Sequence, residues 1–328
     1  MEDFTMRKSF LSLICMFACF FLSFNGVSQD KFTIAVIPDS QQEILNGSDT
    51  RLKNRMQWIA DNKKKLNIKM VLHVGDMMNW DTPEHAQYVR TSEGFSILDK
   101  AEIPYALALG NHDTAATKEG GSAAPGNVNT NLRNTSVFNT YFPAARFKAM
   151  EGVFEKGKED NSFHAFSAGG LDWLVISLEL WARTEAVEWA KKVVQDHPNH
   201  NVIIVTHSFL ASNSTIEKSN GGYGNNSPQF IFDNLVKKYA NVRLVFCGHV
   251  GAHGYRTDKG DNGNTIYEFV QCYHDNATNP VRLFEIDSKA GSIKTWVYCP
   301  SISKEKDDKS SFTVSDVSWV PAGSTRGK

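Results

Sequence analysis

The sequence predicts an α/β fold with mixed, largely parallel sheets, and three observations lead to that class. Six short apolar segments rich in Val, Ile and Leu have the composition of strands that are buried on both faces. Segments with apolar residues at helical spacing lie between several of them, as crossover connections between parallel strands require. Two short turn sequences that end in Gly, at 167–170 and 288–291, predict hairpins and therefore antiparallel strand pairs as well.

The predicted elements follow one another along the chain in this order. The strands are 32–37, 70–74, 105–109, 171–177, 202–206 and 242–247. Helical stripes fall around 52–63, 187–194 and 230–239. Between the third and fourth strands, the polar stretch 114–161 is rich in Gly, Ala and Asn and predicts an ordered excursion of the chain over the site.

The first thirty residues have the features of a secretory signal. A basic region at 6–8 precedes an apolar run over 11–24, which is too short to span about 30 Å of hydrocarbon comfortably. Small residues at Gly26 and Ser28 fit cleavage near Ser28 and predict export to the periplasm or the extracellular space, with an uncleaved membrane anchor as the alternative. We divide the chain into a signal segment (1–28), one domain (31–300) and a C-terminal extension (301–328) that packs on the domain or trails from it.

Composition excludes several classes of protein. The 41% apolar content rules out disorder, and 5 Cys in 328 residues rule out a disulfide scaffold. The three cysteines of the domain, Cys247, Cys272 and Cys299, are expected to be small buried apolar residues. The formal net charge of −1 gives no signature of a nucleic-acid partner, and membrane contact is expected only through the signal segment.

Five of the predicted strands are followed at once by side chains that could bind a metal. In chain order these side chains are Asp39 with Gln41, Asp76, Asn111 with His112 and Asp113, His207, and His249. Because the carboxyl ends of parallel strands share one edge of a sheet, we expect these residues to meet there. A lone Asp or His at a strand end is usually a cap or turn residue, but five successive cases disfavour that interpretation.

These residue types favour a pair of divalent metal ions. Carboxylate, imidazole and amide oxygen suit zinc, manganese or iron, and no cysteine is among the candidates. Asp76 lies centrally in the series and could bridge two ions, and ions about 3.5–4 Å apart suit in-line displacement at phosphorus. His112 lies beside a predicted ligand. If the carboxylate of Asp113 orients it, it could protonate a leaving alcohol.

The motifs resemble those of the calcineurin-like metallophosphoesterases. The family pattern is Asp-x-His, Gly-Asp, Gly-Asn-His-Asp/Glu, a lone His and Gly-His-x-His, and the resemblance covers roughly residues 31–300. It implies a four-layer α/β/β/α sandwich of two mixed sheets, with two divalent ions between the sheets. It also implies these roles: Asp39 and Asp76 at the first metal, Asp76, Asn111, His207 and His249 at the second, and His112 as general acid.

The first metal site departs from the family pattern. Gln41 stands where the family has a histidine, as in an exported bacterial branch of the family, and its amide oxygen ligates more weakly than imidazole. The second histidine of the last motif is missing, so His253, four residues after His249, is either its replacement or a loop histidine. His274 could also face the site, although no motif supports it. Of Mn, Fe and Zn, we therefore expect Mn to be favoured at a weaker first site.

The sequence as a whole predicts an exported metal-dependent phosphoesterase. Its substrate would be a phosphomonoester or phosphodiester of a small molecule, a sugar or a nucleotide. Two alternatives stay open: a catalytically weak binding or scaffold protein on the same fold, and a metal-dependent hydrolase of a non-phosphate ester. Loop aromatics such as Trp181 and Tyr223 could stack on a base or sugar, although packing is their commoner role.

Overall fold

The computed structural model describes residues 30–323, and the predicted signal segment lies outside them. The α-helices of this part are α1 Arg51–Asn62, α2 Ala86–Lys100, α3 Val128–Leu132, α4 Ser136–Tyr141, α5 Thr184–Asp196 and α6 Pro228–Asn234. The strands are β1 Lys31–Ile37, β2 Ile68–His73, β3 Tyr105–Leu107, β4 Met150–Val153, β5 Ser162–Ala168, β6 Leu171–Leu178, β7 His200–Thr206, β8 Val242–Cys247, β9 His253–Lys259, β10 Thr265–Gln271, β11 Val281–Asp287, β12 Ser292–Cys299, β13 Lys304–Glu305 and β14 Phe312–Val314. Across 30–323, no helix combines the length and apolar character needed to span a bilayer.

The strands form two mixed sheets. The first has the order β13-β12-β11-β1-β2-β3, with β14 also paired to β12, and its strands β1, β2 and β3 run parallel. The second has the order β4-β5-β6-β7-β8-β10-β9, in which β6, β7, β8 and β10 run parallel. Both predicted hairpins are confirmed, because β5 pairs antiparallel with β6 and β11 pairs antiparallel with β12.

The sheets pack face to face because successive side chains of each central strand point to opposite layers. In β1, Ile34 and Val36 lie in the core between the sheets, whereas Ala35 and Ile37 face the helices. Helices α1 and α2 cover the first sheet, and α5 and α6 cover the second. The four-layer α/β/β/α sandwich is therefore confirmed, and it explains why these strands read as continuous apolar runs.

The arrangement corrects one expectation about where the site residues lie. The five strands that precede them do not share one sheet, because β1, β2 and β3 belong to the first sheet and β7 and β8 to the second. The carboxyl ends of both sets nevertheless meet, since a side chain after β2 contacts one after β7. The site lies at the junction of two sheets rather than along the edge of one.

The described residues beyond residue 300 pack on the domain. Strands β13 and β14 pair with β12, and Val317 is buried in the core between the sheets. The side chains of Cys247, Cys272 and Cys299 are buried and form no disulfide, as predicted.

Candidate metal centre

Hydrogen bonds join the loop after β1 to the loop after β2, and these two loops carry the predicted ligands Asp39 and Asp76. The N–H of Ser40 donates to the carbonyl of Asp76 at 3.0 Å. The buried ring of His73 accepts the N–H of Gly75 at Nδ1 (3.1 Å), so its proton lies on Nε2, which donates to Ser40 Oγ at 2.9 Å. Burial lowers the pKa of His73 well below its ordinary value, which keeps the ring neutral. His73 thus holds Asp39 and Asp76 in a fixed relation.

Three of the predicted ligands form one compact group, which we call the second metal group: Asp76, His207 and His249. The Nε2 atom of His207 lies 3.1 Å from Asp76 Oδ2 and 3.1 Å from His249 Nδ1. The other ring nitrogen of His207, Nδ1, donates to the carbonyl of Val74 at 2.8 Å. A carbonyl at Nδ1 leaves the lone pair of Nε2 for a metal ion, which is the usual arrangement of a metal-binding histidine.

A second compact group, the first metal group, consists of Asp39, Cys272 and His274. His274 Nε2 lies 3.2 Å from Asp39 Oδ2, and the Cys272 thiol donates to the same oxygen at 3.2 Å. Tyr273 and His274 both have left-handed backbone, with φ of 64° and 42°, so the chain turns sharply after β10. That turn returns the imidazole of His274 to Asp39.

His253, the predicted alternative for this position, lies elsewhere. It is the first residue of β9, where it is paired in register with Gln271 of β10. Its ring stacks on Tyr273 at a centroid distance of 6.0 Å, and its Nε2 is 3.9 Å from Asp308. The strand pairing therefore holds His253 outside both metal groups. The imidazole beside Asp39 is that of His274.

Two amide oxygens test whether the centre suits metal ions. Gln41 Oε1 and Asn111 Oδ1 are both buried, and neither has a hydrogen-bond partner in the described part of the chain. A buried carbonyl oxygen left unpaired costs about 1–3 kcal/mol, which a bound cation would offset. Together with carboxylates and imidazoles, these oxygens make a donor set that fits divalent ions.

Two motif glycines allow the carboxylates to approach the backbone. A Cβ at Gly110 would lie 2.0 Å from Asp76 Oδ1, and one at Gly248 would lie 2.1 Å from Asp39 Oδ1. Any side chain at either position would displace a carboxylate. The glycines of Gly-Asn-His-Asp and Gly-His are thus required by close packing against the ligands.

The buried carboxylates set the electrostatics of the centre. Although burial opposes it, the charges of Asp76 and Asp39 raise the pKa of His207 to about 10. Burial and the neighbouring His207 lower the pKa of His249 to about 4. Without a metal ion, these carboxylates favour a protonated, positively charged His207. A bound divalent cation would supply that positive charge instead.

The predicted acid, His112, is oriented differently from expectation. Its Nδ1 lies 2.5 Å from the carbonyl of Asn79, which can only accept, so Nδ1 carries a proton. The carboxylate of Asp113 instead accepts backbone N–H groups of Asp76, Met77, Met78 and Gly110 at 2.8–3.0 Å. Asp113 therefore shapes the loops that carry the ligands, and a main-chain carbonyl orients the His112 ring.

The family model for calcineurin-like phosphoesterases matches residues 32–252. This chain belongs to that family. The two groups of metal-binding side chains described above agree with that membership. The matched range contains every predicted ligand from Asp39 to His249, whereas Cys272 and His274 lie beyond it.

Individual proteins similar to this calcineurin-like phosphoesterase were also found. The Bacillus subtilis (strain 168) protein YvnB, described as uncharacterized, is 27% identical over 293 residues, which is 85% of this chain. The chain spans only about a fifth of that relative, 21% of its length.

Two solved structures were found to be similar to this chain. A dimetal phosphatase from Danio rerio superposes with a TM-score of 0.51 at 13% identity, over 87% of this chain and 98% of that one. GAP50 of Plasmodium, described as the anchor in the inner membrane complex, has a TM-score of 0.45 at 9% identity, over 87% and 88% of the two chains. The first likeness agrees with the sandwich described above.

Proposed function

We propose that this phosphoesterase hydrolyses a small phosphomonoester or phosphodiester at a centre of two divalent ions. The observation that carries the proposal is the convergence of two ligand groups on Asp39 and Asp76, with two unpaired amide oxygens beside them. The Danio rerio protein that shares the fold is a dimetal phosphatase, which supports the same arrangement.

The ligand groups suggest how the two ions would be held. Asp76, Asn111, His207 and His249 would hold one ion, and Asp39, Gln41, Asp76 and His274 the other. We assign Asp76 to both sets because it is a member of the second metal group and its charge also acts on Asp39, whose pKa it raises. The oxygen-rich set around Gln41 favours manganese over zinc at the first position. When bound, such a pair polarises the phosphoryl group and stabilises the charge that develops on its oxygens.

The chain's own contribution to the reaction is a proton at a defined atom. Because His112 Nδ1 keeps its proton toward the Asn79 carbonyl, Nε2 is the atom that can gain and release one. As the ester P–O bond breaks, Nε2 would give its proton to the leaving oxygen. The backbone N–H of His112 donates to Asp76 Oδ1 at 3.1 Å, which fixes the acid relative to the metal groups.

The structure also bears on the alternative of a binding or scaffold protein. That alternative depended on a first metal site short of ligands, because the motif histidines are missing. His274 supplies an imidazole beside Asp39, so the first group has a ligand set comparable with the second. The other alternative, hydrolysis of a non-phosphate ester, is distinguished by the assay described next.

The direct test is hydrolysis of 4-nitrophenyl phosphate and bis(4-nitrophenyl) phosphate by protein reconstituted with Mn²⁺. We expect turnover of at least one ester that disappears with chelation and returns with metal. The matched control is His112→Asn, which keeps both ligand groups. Metal binding without turnover of either ester, combined with turnover of carboxylic esters, would contradict the proposal.

We also propose export, which the basic and apolar segments at 6–8 and 11–24 support. The test is expression of the full chain in a bacterium, followed by fractionation and N-terminal sequencing. A mature protein that begins near residue 29 outside the cytoplasm is expected, and a full-length membrane-bound protein would indicate the anchor instead.

A further inference from the structure

A small apolar cavity adjoins the second metal group. Its volume is about 250 Å³, and two of its lining residues, Asn111 and His249, are candidate metal ligands. Most of the remaining lining is apolar, from Ala116, Val128 and Leu132 together with two aromatic rings. Among the described residues that line it there is no Lys, Arg, Asp or Glu. A pocket of this kind excludes charge and accepts an apolar group.

The two aromatic rings form one wall of the cavity. Trp181 and Tyr223 stack at a centroid distance of 5.7 Å and an angle of 20°. The indole of Trp181 also meets the ring of His249 edge-on at 5.6 Å. Tyr223 is 38% exposed and Trp181 only 6%, so the wall runs from the surface down to the metal group.

Trp181 is held in place by its backbone. Its φ of 45° is unusual for a bulky residue, and its carbonyl accepts hydrogen bonds from Arg133 Nη2 at 2.8 Å and the N–H of Asn225 at 3.0 Å. The indole N–H is buried and has no hydrogen-bond partner in the described part of the protein. A bulky residue with this unusual backbone conformation and an unpaired indole N–H is typical of a ligand-binding position rather than of simple packing.

One residue that lines the cavity lies near the proposed acid. A Cβ at Gly121 would lie 3.3 Å from the side chain of Asn79. Asn79 is the residue whose carbonyl orients His112. The cavity therefore has Asn111 and His249 in its lining and also a neighbour of the residue that holds the proton donor.

We propose that this cavity binds the leaving alcohol of the substrate and selects a flat, uncharged, apolar one. The inference rests on the proposed phosphoesterase function. Hydrolysis breaks the P–O bond to that alcohol, water supplies the new oxygen on phosphorus, and His112 Nε2 returns a proton to the departing oxygen. A cavity of about 150 Å³ suffices for benzene, so a single ring fits this one. The substrate class is thus a phosphoester of an aromatic or similarly flat alcohol.

A larger, more polar cavity lies beside the apolar one, and a substitution there provides a control for the proposed selectivity. It has a volume of about 660 Å³ and shares Trp181, Tyr223 and His249, but Glu217 and Lys218 also line it. A charged or polyhydroxylated alcohol would suit that cavity better. Lys218→Ala changes the larger cavity alone and should leave the preference for a flat alcohol unaltered.

The test compares benzyl phosphate with glycerol 1-phosphate, which both release alkyl alcohols, so leaving-group reactivity does not decide the result. We expect kcat/KM to favour benzyl phosphate by about tenfold or more, from burial of one ring. Tyr223→Ala should bring that ratio close to one, whereas Tyr223→Phe, which keeps the ring, should preserve it. Equal kcat/KM for the two esters in the unaltered protein would overturn the proposal.

A binding measurement separates this proposal from the phosphoesterase activity itself. In protein without added metal, the indole ¹⁵N–¹H resonance of Trp181 is identified by its loss in Trp181→Phe. Benzyl alcohol should shift it in a saturable manner and glycerol should not. Absence of the shift would overturn the cavity proposal even in an active enzyme. A saturable shift in a protein that hydrolyses no phosphoester would retain the cavity and contradict the proposed function.

Discussion

The second metal group is built within the sequence motifs, whereas the first draws its imidazole from a loop outside them. Asp76, His207 and His249 all follow predicted strands and lie within residues 32–252. Asp39 also lies in that range, but its partners Cys272 and His274 come from the turn after β10. A missing motif histidine therefore does not establish a missing ligand, because another loop at the same junction can supply one.

The two groups also differ in their exposure to water. In the second group His207 and Asp76 are almost completely buried and His249 is partly buried. In the first group Asp39 and Cys272 are buried, but the imidazole of His274 is 41% exposed. A buried ligand set loses less to competition with water and is held in one geometry by its surroundings. We therefore expect the second ion to exchange slowly and the first to exchange readily.

Asp76→Asn should have the largest effect on both groups. The substitution removes the only carboxylate that the two proposed ligand sets share, so we expect activity to fall to background and both ions to bind more weakly. Equilibrium dialysis against Mn²⁺, with circular dichroism as the folding control, checks this in Asp76→Asn and in Asp76→Ala. Full occupancy by two ions in either variant would refute a bridging role.

His112→Asn should come next and should leave both metal groups intact. Loss of the general acid lowers kcat by roughly 10²–10⁴. The loss should be smaller for 4-nitrophenyl esters, whose leaving group needs no proton, than for alkyl esters. An equal loss for the two ester types would show that His112 has another role.

Gln41→His should strengthen the first group alone. Imidazole is a stronger ligand than an amide oxygen and suits zinc better, so Zn²⁺ affinity should rise more than Mn²⁺ affinity. Competition titration with a chelating dye measures both affinities, and Gln41→Ala is the matched control that should weaken the same site. If the affinity of the slowly exchanging ion changed instead, Gln41 would belong to the second group.

Cys272→Ser should have the smallest effect. The thiol donates to Asp39, and a hydroxyl can make the same hydrogen bond, so Mn²⁺ affinity should stay within about threefold. Zn²⁺ affinity is the discriminating measurement, since zinc prefers thiolate. A large loss of Zn²⁺ affinity in Cys272→Ser would identify Cys272 as a ligand rather than a hydrogen-bond donor.

The fold was predictable because its signal is local. The apolar runs of β1 and β2 and the turn at 167–170 report burial and hairpin geometry directly. The division of the strands between two sheets was not readable from those runs, because parallel strands of either sheet have the same composition. That division had to come from the family resemblance and is shown by the strand pairing.

Most of the candidate site was also predictable, since a polar residue directly after a buried strand marks the carboxyl edge. His274 and Cys272 obey the same rule, because they follow β10, but no motif marked either residue as a ligand. The turn that brings His274 inward depends on left-handed backbone at Tyr273, a residue type that does not signal such a turn. Likewise, the carbonyl of Asn79 that orients His112 is a backbone atom, so the type of side chain at position 79 gives no indication of this contact.

The most direct measurement is the number of Mn²⁺ ions bound per chain in the unaltered protein, His274→Ala and His253→Ala. Each protein is analysed by equilibrium dialysis against the same concentration of free Mn²⁺, so that a readily exchanging ion is counted together with a slowly exchanging one. We expect two ions in the unaltered protein and in His253→Ala, and one in His274→Ala. Two ions bound by His274→Ala, or only one bound by His253→Ala, would show that His274 is not the imidazole ligand of the first ion.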